Sequence, residues 1–348
     1  MKKFIVAFAL LFSIQQTQAQ ELETILLAAD DASLLTENYL NPAVKGLMYG
    51  MNGGWYTTAK THKKFGFDVT INVNASFVPS KEQMFAFIPS DYTFLALPNG
   101  ETKLNTVMSE NDSETEINIR IPIDNDEFKV ASFDMPGGIT DDLPINAVPT
   151  PMVQLGFGLP FKTDIKLRLL PNSNFDDSVE ANIFGMGLQH DLMQHFGPLE
   201  KLPLNVSILA AFTNMKVTYD VEDEEPDDEV AVYNGEAEFK MNTWTIQAIA
   251  SLDFKIITLY GSVGYNNGKS TVKMKGDYTL TYDIEDDNGN VIRTVDESIS
   301  DPISLDFDAN GMRATIGTRL NLGFFKIFAD YTLQEYNTAS AGIAFSFR

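Results

Sequence analysis

Three histidines are the first residues to test for chemistry. His62 sits in Lys60-Thr61-His62-Lys63-Lys64, a basic turn that repels a metal cation. His190 and His195 are five apart, which does not put them on one helical face. Neither forms the histidine–carboxylate pattern of a zinc hydrolase. Tyr260-Gly261-Ser262-Val263-Gly264 lacks the spacing of a nucleophile elbow. A hydrolytic pair of Ser262 or Ser207 with His190 can be drawn, but no spacing selects it. Asp306-Phe307-Asp308-Ala309-Asn310-Gly311 matches the first half of a calcium loop. Its twelfth position is Gly317 where a glutamate is needed, so the segment reads as a turn entering a strand. The residue types therefore predict no enzyme, no metal site and no cofactor.

Composition narrows the classes further. The chain has 348 residues, 48 acidic and 25 basic, for a net charge of −23. A polyphosphate needs a basic surface, so nucleic acid is excluded as a partner. There is no cysteine, which removes disulfides and thiolate chemistry. A hydrophobic share of 44% is too high for a disordered chain.

The start of the chain reads as an address. Met1-Lys2-Lys3 is positive, Phe4 to Ile14 is apolar apart from Ser13, and Thr17-Gln18-Ala19 offers small residues for cleavage. This order predicts a cleaved signal peptide over 1–19. The later candidate for a spanning helix, Thr245 to Ile257, is broken by Gln247, Asp253 and Lys255. Membrane entry would then require a closed barrel of strands.

The elements that must position any site come in two kinds. Leu22, Ile25, Leu26, Ala29, Leu34 and Leu35 recur at helical spacing, predicting one helix over Glu21 to Leu40 that stops before Pro42. Beyond it the period changes to 2. Val69, Ile71, Val73, Ala75 and Phe77 alternate with Asp68, Thr70, Asn72, Asn74 and Ser76. The same alternation marks 116–123, 153–159, 204–212, 243–252, 312–322, 325–333 and 340–347. Several runs reach nine or more residues, the length of a tilted membrane-crossing strand, whereas soluble strands average about 5–6. An apolar face backed by ions and small polar residues fits lipid outside and a wet lumen inside.

Connections differ in length. Pro160 to Lys162, Asp253 to Lys255 and Gly323 to Lys326 are short and carry an aromatic. Ser109 to Thr115, Asp220 to Glu229 and Asp283 to Ser300 are long and acidic, the second with eight acids in ten residues. Short turns at one end and long polar loops at the other are the asymmetry of an outer-membrane barrel. Acids on such loops keep the chain solvated or bridge to lipopolysaccharide through divalent cations. Pro79 to Val148, with prolines at 79, 89, 98, 122 and 136, is the least regular part. It reads as strands with long loops, folded into the lumen or over the mouth, or as a small module. His190 to Pro198 reads as a short interfacial helix capping a turn.

Two segments carry family resemblances. The helix, Asn41-Pro42-Ala43 and an expected first strand at Tyr49 to Thr58 resemble the amino-terminal hatch of the long-chain fatty acid transporter family. That resemblance implies a plug inside a barrel. Gly187-Leu188-Gln189-His190-Asp191 and Leu202-Pro203-Leu204 look like a group of uncharacterised exported outer-membrane-type proteins, over most of the chain. No activity comes with that second likeness. The final strand keeps aromatic alternation through Phe345 and Phe347, as barrels read by the assembly machinery do, with Arg348 following.

The expectation is an all-β protein: a transmembrane antiparallel β-barrel of about 12–14 strands, from roughly 22–25 residues per strand and turn. It has a signal peptide at 1–19, a helical plug at 20–48 and the barrel at 49–348. Leu22, Leu26, Leu34 and Leu35 would face a ligand pocket, with Asn41 and Pro42 as the fixed end of the plug. Arg313, Arg319 and Asp330 would be lumen charges. The leading function is a channel for small hydrophobic compounds in a Gram-negative outer membrane, with outer-membrane lipid, lipopolysaccharide and the barrel assembly machinery as partners. The alternative is a structural or surface-interaction barrel without transport. A third is a soluble exported β-protein that binds glycans or matrix.

Overall fold

The computed structural model describes residues 29–98, 102–123, 126–143, 145–176, 178–197, 203–221, 230–285 and 291–347. The expected signal peptide, Leu22, Leu26 and most of the Asp220–Glu229 acid run lie outside these residues.

Among the described residues one α-helix, α1 (Ala29–Met51), precedes sixteen strands: β1 (Phe67–Ser76), β2 (Met84–Ala86), β3 (Leu95–Ala96), β4 (Lys103–Asn105), β5 (Thr115–Ile123), β6 (Asp126–Met135), β7 (Val148–Leu159), β8 (Thr163–Asp176), β9 (Val179–Asp191), β10 (Leu204–Asp220), β11 (Val230–Asp253), β12 (Ile257–Glu285), β13 (Val291–Ser300), β14 (Ile303–Leu322), β15 (Phe325–Leu333) and β16 (Thr338–Phe347). Ten of them close a ring in the order β1-β7-β8-β9-β10-β11-β12-β14-β15-β16, with every pair antiparallel and β16 returning to β1. Phe67 lies opposite Phe347 where the ring closes.

Ten strands replace the 12–14 expected. The division by strand length fails for two reasons. Strands run to 29 residues in β12. Residues 77–147 also leave the wall altogether, so β5, which contains the clean Ile117–Ile123 alternation, belongs to a small three-stranded sheet with β3 and β6. Asp283 to Ser300, expected as a loop, is instead largely strand, because the end of β12 folds back on β13 as a hairpin beyond the ring.

Polarity along the wall inverts at a fixed height. On β10, Val206, Ile208, Ala210 and Phe212 point outward, and Ser207 and Thr213 are buried inside. Two residues later the faces exchange roles: Asn214 is outside, while Met215 and Val217 are buried inside. The same exchange follows Phe184 at Asn182, Trp244 at Asn242, Tyr265 at Asn267 and Met312 at Asn310. Exposed aromatics thus rim the ring at that height. Exposed Phe161, Phe196, Phe254 and Phe324 rim it at the short-turn end. From Leu252 to Trp244 is nine residues, which at ~3.3 Å each and a tilt of ~40° spans ~23 Å.

The interior has two tiers. A ring of ten strands spaced ~4.8 Å apart and tilted ~40° has a radius near ~10 Å, enough for one helix or one chain segment after side chains are placed. Beyond the asparagine row, α1 fills it: Ala43, Val44, Leu47, Met48 and Met51 pack with Met152, Met215, Phe239, Met241, Leu305 and Phe307. Gly50 permits the close approach to β7, since a Cβ there would lie 2.2 Å from Thr150 Oγ1. The helix continues past Pro42, against expectation, because packing of its buried face against the wall outweighs one missing backbone bond.

Residues 77–147 cover the long-strand end. Their core holds Phe87, Tyr92, Leu95, Leu104, Ile117, Ile119, Phe133 and Met135, and Leu35 of α1 inserts into it. Asp31 of α1 fastens this module, its carboxylate accepting from the backbone N–H of Thr93, Phe94 and Leu95 at 2.6–3.1 Å. Asp31→Ala removes a charged acceptor from these donors and should cost about 2 kcal/mol. Faster proteolysis within 77–147, with the rest of the chain still protected, is the expected reading.

Candidate functional site

Within the apolar belt the lumen is polar, and residues 52–64 run through it. This is the stretch whose first half was expected as a strand. Gly54, in a left-handed conformation at φ +69, turns the chain out of α1 beside Asn72 and Asn74. Trp55, Tyr56 and Ala59 are then buried against Leu209, Ala211, Ile249 and Tyr260.

Side chains from the wall bind this segment through its backbone. Arg168 of β8 donates to Met51 O at 2.7 Å, Gly53 O at 2.6 Å and Gln154 Oε1 at 3.2 Å, and its guanidinium lies 3.7 Å from the Trp55 ring centroid. Arg313 of β14 donates to Asn52 O at 2.7 Å, Asn266 Oδ1 at 3.2 Å and Thr332 Oγ1 at 3.2 Å. Gln189 of β9 donates to Thr58 O at 2.9 Å. Tyr56 OH donates to Ser262 Oγ at 2.5 Å. Arg319 donates to Thr57 Oγ1 at 3.1 Å and lies 3.8 Å from Asp253. Asp330 accepts from Tyr260 OH at 2.9 Å.

His62 ends the segment between two carboxylates. Its Nδ1 is 2.9 Å from Asp164 Oδ2, its Nε2 is 3.3 Å from Asp68 Oδ1, and its backbone N–H donates to Asp164 Oδ1 at 2.9 Å. The hydroxyl beside this group, Thr70, is bound to Asp68 at 2.6 Å. The arrangement ties chain to wall. Next to it, a polar cavity of about 40 Å³ is lined by Tyr56, His62, Asp68, Gln189 and Arg319. That is room for a few waters and none for an organic solute.

The expected site residues separate. Arg313, Arg319 and Asp330 all point into the ring. Asn41 and Pro42 lie in mid-helix, Pro42 buried and Asn41 half-buried. Leu35 is closed into the core of the covering module and Leu34 packs at its edge, so neither faces a cavity. Asp306, Asp308 and Asn310 lie in β14 with their side chains on its outer face, rather than in a turn. Sequence reasoning missed Arg168 and Trp55. Arg168 follows Asp164 and Lys166 on the inward face of β8, in alternation with Ile165, Leu167 and Leu169, and that row of inward charges was the available signal.

Pairing stops short at two places in the described wall: residues 303–313 of β14 pair with β12 but not with the shorter β15, and β7 parts from β8. β7 pairs with β1 over ten residues, but with β8 over only six, Gln154–Leu159 against Thr163–Arg168. Beyond Gln154 and Arg168 the two strands part. Pro149 and Pro151 lie in the unpaired length of β7. The ladder to β1 is continuous across both prolines. The edge that lacks N–H donors is therefore the one facing β8. Pro171 sits in the bulge where β8 loses its register with β9. Val153 and Leu169, the next positions in register, are both exposed on the outer face.

A family profile matches residues 1–347. The chain belongs to a family of unknown function, DUF6588. No curated protein matches it. Among solved structures it is similar to Ail, the attachment invasion locus protein of Yersinia pestis, at 9% identity over 82% of this chain and 100% of Ail, with a TM-score of 0.25. It is similar to the outer membrane protease OmpT of Escherichia coli at 9% identity over 85% of this chain and 100% of OmpT, with a TM-score of 0.28. It is also similar to the P. putida toluene transporter TodX at 7% identity over 91% of this chain and 94% of TodX, with a TM-score of 0.24. Overlaps this low carry no function to the DUF6588 chain, and none of them relates Asn41-Pro42-Ala43 to a transporter hatch.

Proposed function

We propose that this DUF6588 protein is an outer-membrane β-barrel, closed along its axis, that passes small hydrophobic compounds sideways between lumen and bilayer at the β7/β8 seam. The unpaired seam carries the reading. A continuous ladder leaves no lateral exit, whereas Pro149 and Pro151 keep this one from zipping. An apolar groove on the outer wall, lined by Phe67, Leu155, Phe157, Ile165 and Leu167, lies beside the paired part of the same two strands. The apolar belt between two aromatic rims supports the membrane location. Residues 29–66 act as the plug, and a solute enters only when they shift.

The test uses the absence of native cysteine. Val153→Cys with Leu169→Cys places thiols on both lips of the seam. Oxidation should cut uptake of a hydrophobic fluorophore into liposomes by about tenfold, and reduction should restore it, a loss of about 1.4 kcal/mol in the passage step. Equal uptake in both states sinks the lateral route.

The packed lumen favours a second reading, a structural or surface-interaction barrel without transport. Arg168, Arg313 and His62 hold residues 51–62 from three sides. If neither the seam staple nor deletion of residues 29–64 changes solute passage, this reading replaces the first.

A further inference from the structure

Just beyond the asparagine row the outer wall turns basic on three adjacent strands. Lys216 of β10 and Lys240 of β11 stand directly opposite each other in the ladder, a placement in which like charges repel. Glu238 answers them. Its Oε2 lies 3.2 Å from Lys216 Nζ and 2.8 Å from Lys240 Nζ, and its Oε1 lies 3.0 Å from Lys275 Nζ. Lys275 also meets Glu236 at 2.8 Å. Lys269 and Lys273 of β12 are exposed on the same face, with Asp308 of β14 opposite Lys269 at the edge. Five lysines thus stand with Glu236 and Glu238 inside the patch and with Asp306 and Asp308 along its β14 edge, on a chain whose net charge is −23.

The patch is pre-organised. The Glu238 side chain is only 4% exposed. Burial raises its pKa, but the bonds from Lys240, Lys275 and Lys216 outweigh that and hold it at about 2. The stabilisation from a carboxylate depressed in this way is full above the ordinary carboxylate range and is lost progressively as the pH falls from there through the depressed value. Each ammonium has three donors and spends one or two on these carboxylates, leaving others aimed at solvent.

Height names the ligand. Lys216 and Lys240 lie two residues beyond Asn214 and Asn242, about 5 Å further from the belt. The headgroup layer begins at the edge of the hydrocarbon and is roughly 5–8 Å deep. Lysines at this level reach its phosphates.

We propose that Lys216, Lys240 and Lys275, flanked by Lys269 and Lys273, bind the phosphate groups of a phosphorylated glycolipid in the leaflet at the long-strand end. This rests on the outer-membrane reading above. The phosphate replaces the repulsion between Lys216 and Lys240 with attraction to both.

The test reconstitutes the full chain in phosphatidylethanolamine vesicles doped with bis-phosphorylated lipid A, with the same lipid A stripped of phosphate, or with phosphatidylglycerol. Co-purifying lipid is read by native mass spectrometry. The wild type should prefer the phosphorylated glycolipid over its stripped form by tenfold or more, at about fivefold per engaged lysine. Lys269→Gln with Lys273→Gln should lower that preference, and Glu238→Gln, which frees Lys216 and Lys240 and leaves Lys275 to Glu236 alone, should raise it. The variant Lys216→Gln/Lys240→Gln strands Glu238 and is read only if it still folds. Equal retention of the stripped lipid, equal retention of phosphatidylglycerol, or unchanged preference in both flanking and Glu238 variants overturns the proposal. A folded band in phosphatidylethanolamine alone, on an unboiled gel, separates the two failures. Without that band in any vesicle the outer-membrane reading falls; with it, only the glycolipid site does.

Discussion

Ile316→Arg should lower the stability of the inserted protein by about 2–4 kcal/mol, the cost of a guanidinium on the lipid face at the bilayer midplane. Ile316 lies midway between Met312 and Leu322 on β14 and is 73% exposed. On the outer face it is flanked along β14 by Ala314 and Thr318 and across the ladder by Gly261 and the exposed Tyr331. In water, such a residue tolerates arginine within about 0.5 kcal/mol, so the environment fixes the size and sign of the effect. The measurement is urea unfolding from phosphatidylcholine vesicles, followed by the shift of the unboiled gel band. Asn214→Arg, just beyond the aromatic rim, is the control and should change little. A neutral Ile316→Arg would move the protein out of the membrane and restore the soluble, exported reading.

Arg168→Met is expected to free the lumen segment. The guanidinium is fully buried, and its charge is satisfied by two backbone carbonyls, Gln154 and the face of Trp55. Methionine keeps much of the volume but leaves Met51 O and Gly53 O without donors. Each lost bond to a charged group is worth about 1.5–3 kcal/mol, and part of it returns because the charge no longer has to be desolvated. A net loss of about 3 kcal/mol should appear as band conversion at a lower temperature. Transient conductance in planar bilayers should accompany it, each time the freed segment leaves the lumen. Unchanged conversion and no conductance would show that Arg313, Gln189 and His62 hold the segment without it.

The barrel was legible because an apolar outer wall around a polar interior imposes a period-2 signal: 68–77, 325–333 and 340–347 need no context beyond their own alternation. Legibility stopped at the asparagine row. At Asn214 the apolar residues change faces, from Phe212 to Met215, and a pattern search reads that change as the end of the strand. The far halves of β10, β11, β12 and β14 were lost in this way, and with them the strand count. The lumen segment was harder still. Tyr49 to Thr58 holds aromatics and threonines that suit a strand, and only contacts with residues 99–262 positions away decide that it ends the helix and then stays irregular. Arg313 and Arg319 were recognisable as inward charges by parity alone. The seam was not, since Pro149 and Pro151 matter only once the partner of each edge of β7 is known.

The occupied interior also orders events during assembly. The segment that fills the ring lies before β1, and the ring closes when β1 meets β16 at the other end of the chain. A 23-residue helix capped by a folded module has no aperture to enter through afterwards. The wall must therefore be wrapped around its own leading segment, and closure of the last hydrogen-bonded ladder is a one-way step. Slow closure of the barrel on refolding, accelerated when the leading segment is removed, is the kinetic signature of that order.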